Sequence, residues 1–259
     1  VDNGFAMNQD TLPSSTPPVA TQWHVAQIGA RQHYAVARAL HGDGRLRRLY
    51  TDAWVGNAAV RRALSRGPAS MRGLAGRYHP GLADARVRSF TRHSVWDQLR
   101  HRGGGDKRQM YESYARVGED FARRVTRALR RDTLDPQRSV YFGFNTGCLE
   151  TLGMLKDAGV WSIVDQIDPG RVEQELILAE CDKWPGWQAT PGRIPESYFQ
   201  RLDAEWAEAD RVMVNSDWTR DALVQQGVLA EKVRVVRQAY EPDPSLPAPD
   251  TERCHHDGP

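Results

Sequence analysis

The run DQIDPGRVEQE, residues 165 to 175, gathers the groups in this chain best suited to chemistry. Asp165 and Asp168 stand three apart at the end of an apolar stretch, and Pro169 with Gly170 turns the chain directly after them. Two carboxylates with Arg171 and Glu173 close behind can accept sugar hydroxyls or serve proton transfer. The same residues also fit a structural role, in which Asp168 caps the next helix and Arg171 neutralises it.

Three other junctions carry polar residues in comparable places. GARQHY puts Gly29, Arg31, His33 and Tyr34 where the start of a helix would point at a ligand, and free N–H groups there favour anions. A glycine turn with solvated polar neighbours explains the same residues. NTGCLE puts Asn145 and Thr146 at a second strand end, as ligand contacts or as simple N-caps. NSDWTRDAL places Ser216 as an N-cap with Asp217 in the first turn, a pattern that structure alone accounts for.

Several common chemistries lose their best signals. The first strand is followed by GARQHY rather than G-x-G-x-x-G, and the chain has neither a G-x-x-x-x-G-K-[ST] phosphate loop nor a G-x-S-x-G nucleophile elbow. Cys254, His255 and His256 are adjacent, without the spacing of a zinc site, so no metal is expected. Three scattered cysteines, Cys148, Cys181 and Cys254, do not make a disulfide framework. No run approaches the roughly 18 apolar residues of a membrane-spanning helix, and the cytoplasm is the default location.

The elements that must position these residues alternate along the chain. QWHVAQIG, RRLYTDAW, RVRSF, SVYFGFN, WSIVDQID and RVMVNS read as strands, several of them apolar throughout as in a buried parallel sheet. Between them, residues 30 to 44, 146 to 159, 170 to 183 and 196 to 209 read as helices, and residues 57 to 77 as two short ones split at Gly67 and Pro68. Lys107 to Arg131 reads as one long helix, with Tyr114, Val117, Phe121, Val125 and Leu129 on its apolar face. The expected fold is α/β: an open doubly wound, Rossmann-like, mostly parallel sheet flanked by helices, with ligands beyond the carboxyl ends of its strands. Residues 1 to 21 read as a disordered tail, 22 to 241 as the domain, and 242 to 259 as a proline-rich tail or linker remnant.

The formal net charge of +2 conceals a division. Residues 1 to 131 carry 23 Lys/Arg against 10 Asp/Glu, a balance of +13, and residues 132 to 259 carry 12 against 23, a balance of −11. A basic half suggests an anionic partner, although solvated arginines packed against an acidic neighbour give the same numbers. Nucleic acid is disfavoured, because the aromatics are not interleaved with the arginines as stacking platforms. In NAAVRRALSRGPASMRGLAGR, Val60, Ala63, Leu64, Met71, Leu74 and Ala75 lie beside Arg61, Arg62, Arg66 and Arg72, a pattern that suits peripheral contact with anionic lipid or a core-facing helix.

The stretch RVMVNSDWTRDALVQQGVLAEKVRVVRQAYEP resembles the N-terminal domain of GT-B glycosyltransferases, family 4 in particular, with a strand ending in Asn-Ser, a helix, a Gly-Val turn and a strand leading to a linker. DQIDPGRVEQE and WPGW are similar to a subgroup of that family, and the resemblance covers about residues 22 to 242. RQAYEP departs from the usual Pro-Asn-Gly-Val-Asp ending, and Gly29-Ala30 from the usual paired glycines. The resemblance implies an acceptor-binding half of an enzyme that takes a nucleotide sugar as co-substrate. The acceptor would be a glycan, lipid-linked or small-molecule compound. No cofactor is expected, and the isolated chain is expected to be inactive. It implies Gly29, Arg31 and His33 near the interdomain cleft and Asp165 and Asp168 on the acceptor side. The expected partners are the acceptor and a separate donor-binding domain or chain, or a homo-oligomer. A non-catalytic binding or scaffold module of the same fold is the alternative.

Overall fold

The computed structural model describes residues 21–91, 106–186 and 192–238. The expected tails lie outside these residues except for Thr21, as do Cys254, His255, His256 and part of the WPGW loop. Seven strands, β1 (Gln22–Gln27), β2 (Leu46–Thr51), β3 (Val87–Ser89), β4 (Ser139–Phe144), β5 (Trp161–Asp165), β6 (Arg211–Val214) and β7 (Val233–Val235), form one sheet. Its order is β3-β2-β1-β4-β5-β6-β7, and every neighbouring pair is parallel. The order reverses between β1 and β4, so the crevice outside their carboxyl ends is where a doubly wound sheet takes a ligand.

Side chains alternate across the sheet, as the period of two in a strand requires. Ala26, Tyr50, Tyr141 and Val164 face one layer, where they pack on Phe121, Val125 and Leu129 of α4 (Lys107–Leu129) and on Leu152 and Leu155 of α5 (Leu149–Asp157). Val25, Leu49, Phe142 and Phe144 face the other layer, against Tyr34, Leu82 and Ala37 of α1 (Ala35–Gly42). The remaining helices in chain order are α2 (Ala58–Ser65), α3 (Ala69–Ala75), α6 (Arg171–Lys183), α7 (Glu196–Glu208) and α8 (Asp217–Gln225). Phe199, Leu202 and Trp206 of α7 and Leu223 of α8 cover β6 and β7.

The expected long helix, the split pair of short helices and the Ser216 cap are present, and Ser216 Oγ accepts from Thr219 N at 3.2 Å. Two helix starts differ from expectation. The helix expected from residue 30 begins only at Ala35, because Gln32, His33 and Tyr34 all adopt left-handed backbone with φ of 50, 48 and 61°. Such conformations crowd Cβ against the carbonyl and cost a non-glycine residue on the order of 1 kcal/mol. The helix expected from residue 146 begins at Leu149, after Thr146 at φ 74°.

Candidate functional site

At the reversal of strand order, Arg31 from the end of β1 reaches across to Asn145 at the end of β4, Nη1 donating to Oδ1 at 2.8 Å. Asn145 Nδ2 in turn donates to Asp168 Oδ2 at 3.3 Å, so residues from three strand ends form one chain of hydrogen bonds. Asp168 is held further by the Gly170 N–H at 3.0 Å and by Gln166 Nε2 at 3.1 Å, while the buried Trp206 indole donates to Gln166 Oε1 at 3.0 Å. Each link fixes the next, which positions the Asp168 carboxylate without leaving its orientation to solvent.

Asp165 is handled differently. It is only 4% exposed, and its Oδ2 has no hydrogen-bond partner among the described residues. Burial raises its pKa to about 6, against a smaller opposing pull from Arg31. A buried carboxylate oxygen without a donor is costly, and such groups cluster at sites where a ligand supplies the missing partner.

Tyrosines wall this edge. Tyr111 of α4 packs edge-on against Tyr198 of α7 at 4.8 Å between centroids and against Tyr114 at 5.6 Å. Tyr114, expected in the core stripe of the long helix, is 51% exposed, with the edge of the Tyr111 ring packed against it. The Tyr198 hydroxyl lies 3.1 Å from Thr146 Oγ1, and burial lifts its pKa to about 12. Burial likewise raises the Tyr111 hydroxyl, with the charges of Glu173 and Asp168 adding to the effect. Glu173, in the first turn of α6, is raised by desolvation and by Asp168 and lowered by Lys107.

The backbone donors at this edge are occupied by the chain's own carboxylates. Glu205 of α7, with 0% exposure, accepts from the N–H groups of Thr146 at 2.6 Å, Cys148 at 3.1 Å and Leu149 at 3.2 Å. These are the orphan donors at the start of α5, where an anion is otherwise favoured. Arg201 completes the arrangement, donating to the Thr146 carbonyl and, bidentately at 2.9 and 2.8 Å, to Glu150. In the same way the Gly29 N–H donates to Asp52 Oδ1 at 2.8 Å, and Arg77 stands 3.4 Å from that oxygen.

The structure thus brings Arg31, Asn145, Asp165 and Asp168 together and places Thr146 beside them through Tyr198. Asn145 and Thr146 are not N-caps; the cap position of α5 is Cys148, and the capping oxygens are those of Glu205. Asp168 does not cap α6 either, since Gly170 stands at that position. Arg171 turns away from both aspartates to Asp203 at 2.8 Å and Glu196 at 2.5 Å, with its guanidinium over the Phe199 ring. Gly29, His33 and Tyr34 lie in the left-handed turn after β1, and the Tyr34 ring is buried against Trp54. Ser216 is bonded within its own helix start. Glu205 was legible as a carboxylate at the spacing of Tyr198, Leu202 and Trp206 on the apolar side of α7, and Asp52 as an acid at a strand end. Tyr111 gave no signal that separated it from a core aromatic. Among the described residues no group of three His, Cys, Asp or Glu side chains is gathered as a metal site.

No protein-family model matches this chain, and no curated protein matches it. Among solved structures it is similar to apo UGT2 of Phytolacca americana, with a TM-score of 0.44 and 9% identity, over 85% of this chain and 52% of that one. It is also similar to UGT2 of Phytolacca americana complexed with UDP-2fluoro-glucose and pterostilbene, with a TM-score of 0.42 and 13% identity, over 88% of this chain and 55% of that one. The chain therefore spans about half the length of the solved structures it matches.

Proposed function

We infer that the edge formed by Arg31, Asn145, Asp165 and Asp168 is the acceptor site of a glycosyltransferase. The nucleotide-sugar donor is held by a different domain or chain. The observation that carries this reading is the contrast between two carboxylates. Glu205 fills the backbone donors that would otherwise hold a diphosphate, whereas Asp165 keeps a buried oxygen that needs a hydrogen-bond donor. A cleft that has spent its N–H groups and retains an acceptor suits a hydroxylated, uncharged ligand better than an anion. The tyrosine faces beside it suit the apolar side of a sugar ring or an aromatic aglycone. The resemblance of residues 211 to 242 to the N-terminal domain of GT-B enzymes points the same way.

In this reading Asp165 accepts the hydroxyl that is to be glycosylated. With a pKa near 6 it is mainly ionised at neutral pH yet basic enough to take that proton as the acceptor oxygen bonds to the anomeric carbon and the bond from that carbon to the departing nucleotide breaks. Asp168, Asn145 and Arg31 orient the neighbouring hydroxyls. Saturation-transfer NMR of the full chain against a panel of glycosides and phenolic glycosides tests this. The expected result is binding by a subset of the panel, lost in Asp165→Asn and weakened in Tyr198→Phe. Equal binding by Asp165→Asn would overturn the assignment.

A further inference from the structure

We propose that the helical hairpin formed by α2 and α3 is a docking surface for an anionic lipid membrane. From Ala53 to Ala83 the chain runs for 31 residues with five arginines and no Asp or Glu. Among the described residues of α2 and α3 none is buried, so the core-facing alternative for this pair does not hold. Val60 and Met71, one on each helix, are each 47% exposed. Arg62 and Arg66 reach no carboxylate among the described residues, and Arg72 bonds only to the nearby Gly67 carbonyl at 3.2 Å.

The hairpin is fixed at its base, and the described residues of its two helices are exposed or half-buried. The Val55 N–H donates to the Arg77 carbonyl at 2.8 Å, Arg61 donates to the Val55 and Gly56 carbonyls, and its guanidinium stacks 3.6 Å above the Tyr78 ring. Arg77 then stands against Asp52, which holds the Gly29 N–H. The surface is therefore tied to the β1 end of the candidate cleft. Exposed apolar side chains flanked by long cationic ones, on short helices without acidic neighbours, match the charge and depth of a lipid headgroup layer. Arginines near such a surface attract it additively, and an acidic residue in the run would oppose them. This inference stands whether or not the cleft binds a sugar acceptor.

Co-sedimentation of the full chain with vesicles tests it, comparing phosphatidylcholine alone with phosphatidylcholine containing about one third phosphatidylglycerol. The expected result is recruitment to the anionic vesicles only, weakening as salt rises. In the combined Arg62→Gln, Arg66→Gln and Arg72→Gln variant, partitioning falls on the order of 100-fold, from about 1 kcal/mol per charge. Val60→Asp with Met71→Asp also loses recruitment, and unchanged melting of both variants shows that the fold is intact. Equal recovery with both vesicle types, or recruitment untouched by the arginine variant, overturns the proposal. So does an absence of recruitment together with salt-dependent oligonucleotide binding that the arginine variant abolishes, which would assign the hairpin to nucleic acid.

Discussion

The carboxylate of Glu205 accepts the backbone N–H of Thr146 at 2.6 Å, across 59 residues of chain, and this contact fixes the loop that ends β4. Thr146 is left-handed there, at φ 74°, and the strain is held by Glu205 on its N–H, Arg201 on its carbonyl and Tyr198 on its hydroxyl. Removing the carboxylate leaves the N–H groups of Thr146, Cys148 and Leu149 without their acceptor, while Arg201 keeps its bidentate pair with Glu150. Glu205→Ala is expected to lose about 3 kcal/mol of stability or more, at about 1–3 kcal/mol for each backbone donor left unsatisfied. Urea denaturation measures it. A second readout is Cys148, a buried thiol whose pKa burial raises well above its ordinary value. In a Cys181→Ser, Cys254→Ser background it should resist maleimide in the parent and react in Glu205→Ala.

Gly118 of α4 passes directly beneath this loop. A Cβ at that position would lie 2.1 Å from the Thr146 carbonyl oxygen, a backbone atom that cannot swing aside. Helix propensity alone predicts that Gly→Ala stabilises by about 1 kcal/mol. The close approach should win, making Gly118→Ala destabilising by about 1–3 kcal/mol or more. Gly153→Ala in α5, where an added Cβ meets nothing within 4 Å, should show the propensity gain instead. Thermal melts of the two variants side by side separate the effects by sign.

Asp165 should make stability depend on pH in an unusual direction for a carboxylate. Its folded pKa, about 6, lies above the ordinary value of 3.8, so between these two the folded state binds more protons than the unfolded one. The stability associated with this group is therefore full below about pH 4 and lost as pH rises through about 6. Asp165→Asn should be more stable than the parent at pH 7.5 and gain nothing at pH 4. Melting temperatures of the pair across that range check it, and a gain that is the same at every pH would mean that burial does not raise the pKa of Asp165.

The left-handed run after β1 predicts another inverted sign. Gln32 is exposed and sits at φ 50°, so glycine there relieves strain that the parent carries. Gln32→Gly should hold or raise stability by up to about 1 kcal/mol, whereas glycine at an exposed position in the middle of α1 should lower it by about the same amount. Chemical denaturation of both variants tests the pair.

Much of the fold was legible because its elements carry strong local patterns. SVYFGF is buried at all six positions of β4, and the spacing of Phe121, Val125 and Leu129 put one face of α4 on the sheet. The proline after Gly67 marked the break between α2 and α3, and Ser216 announced the start of α8. The site was legible only as a set of strand ends. Gln32, His33 and Tyr34 carry no glycine to signal left-handed backbone, so the turn read as a helix start. Arg171 is redirected by Asp203 and Glu196, and Asn145 is claimed by Arg31, through pairings that sequence spacing does not encode.

Thermal unfolding of the full chain against nucleotides, nucleotide sugars and hydroxylated acceptors at millimolar concentration tests the division between acceptor and donor most directly. A ligand at about a hundred times its dissociation constant adds roughly 2.7 kcal/mol, readily seen as a rise in Tm. With Glu205 and Asp52 occupying the backbone donors, the expected result is no shift with any nucleotide or nucleotide sugar, and a shift with an acceptor that disappears in Asp165→Asn. A clear rise with a nucleotide sugar on the isolated chain would mean that this sheet edge holds the donor, contradicting its assignment to the acceptor.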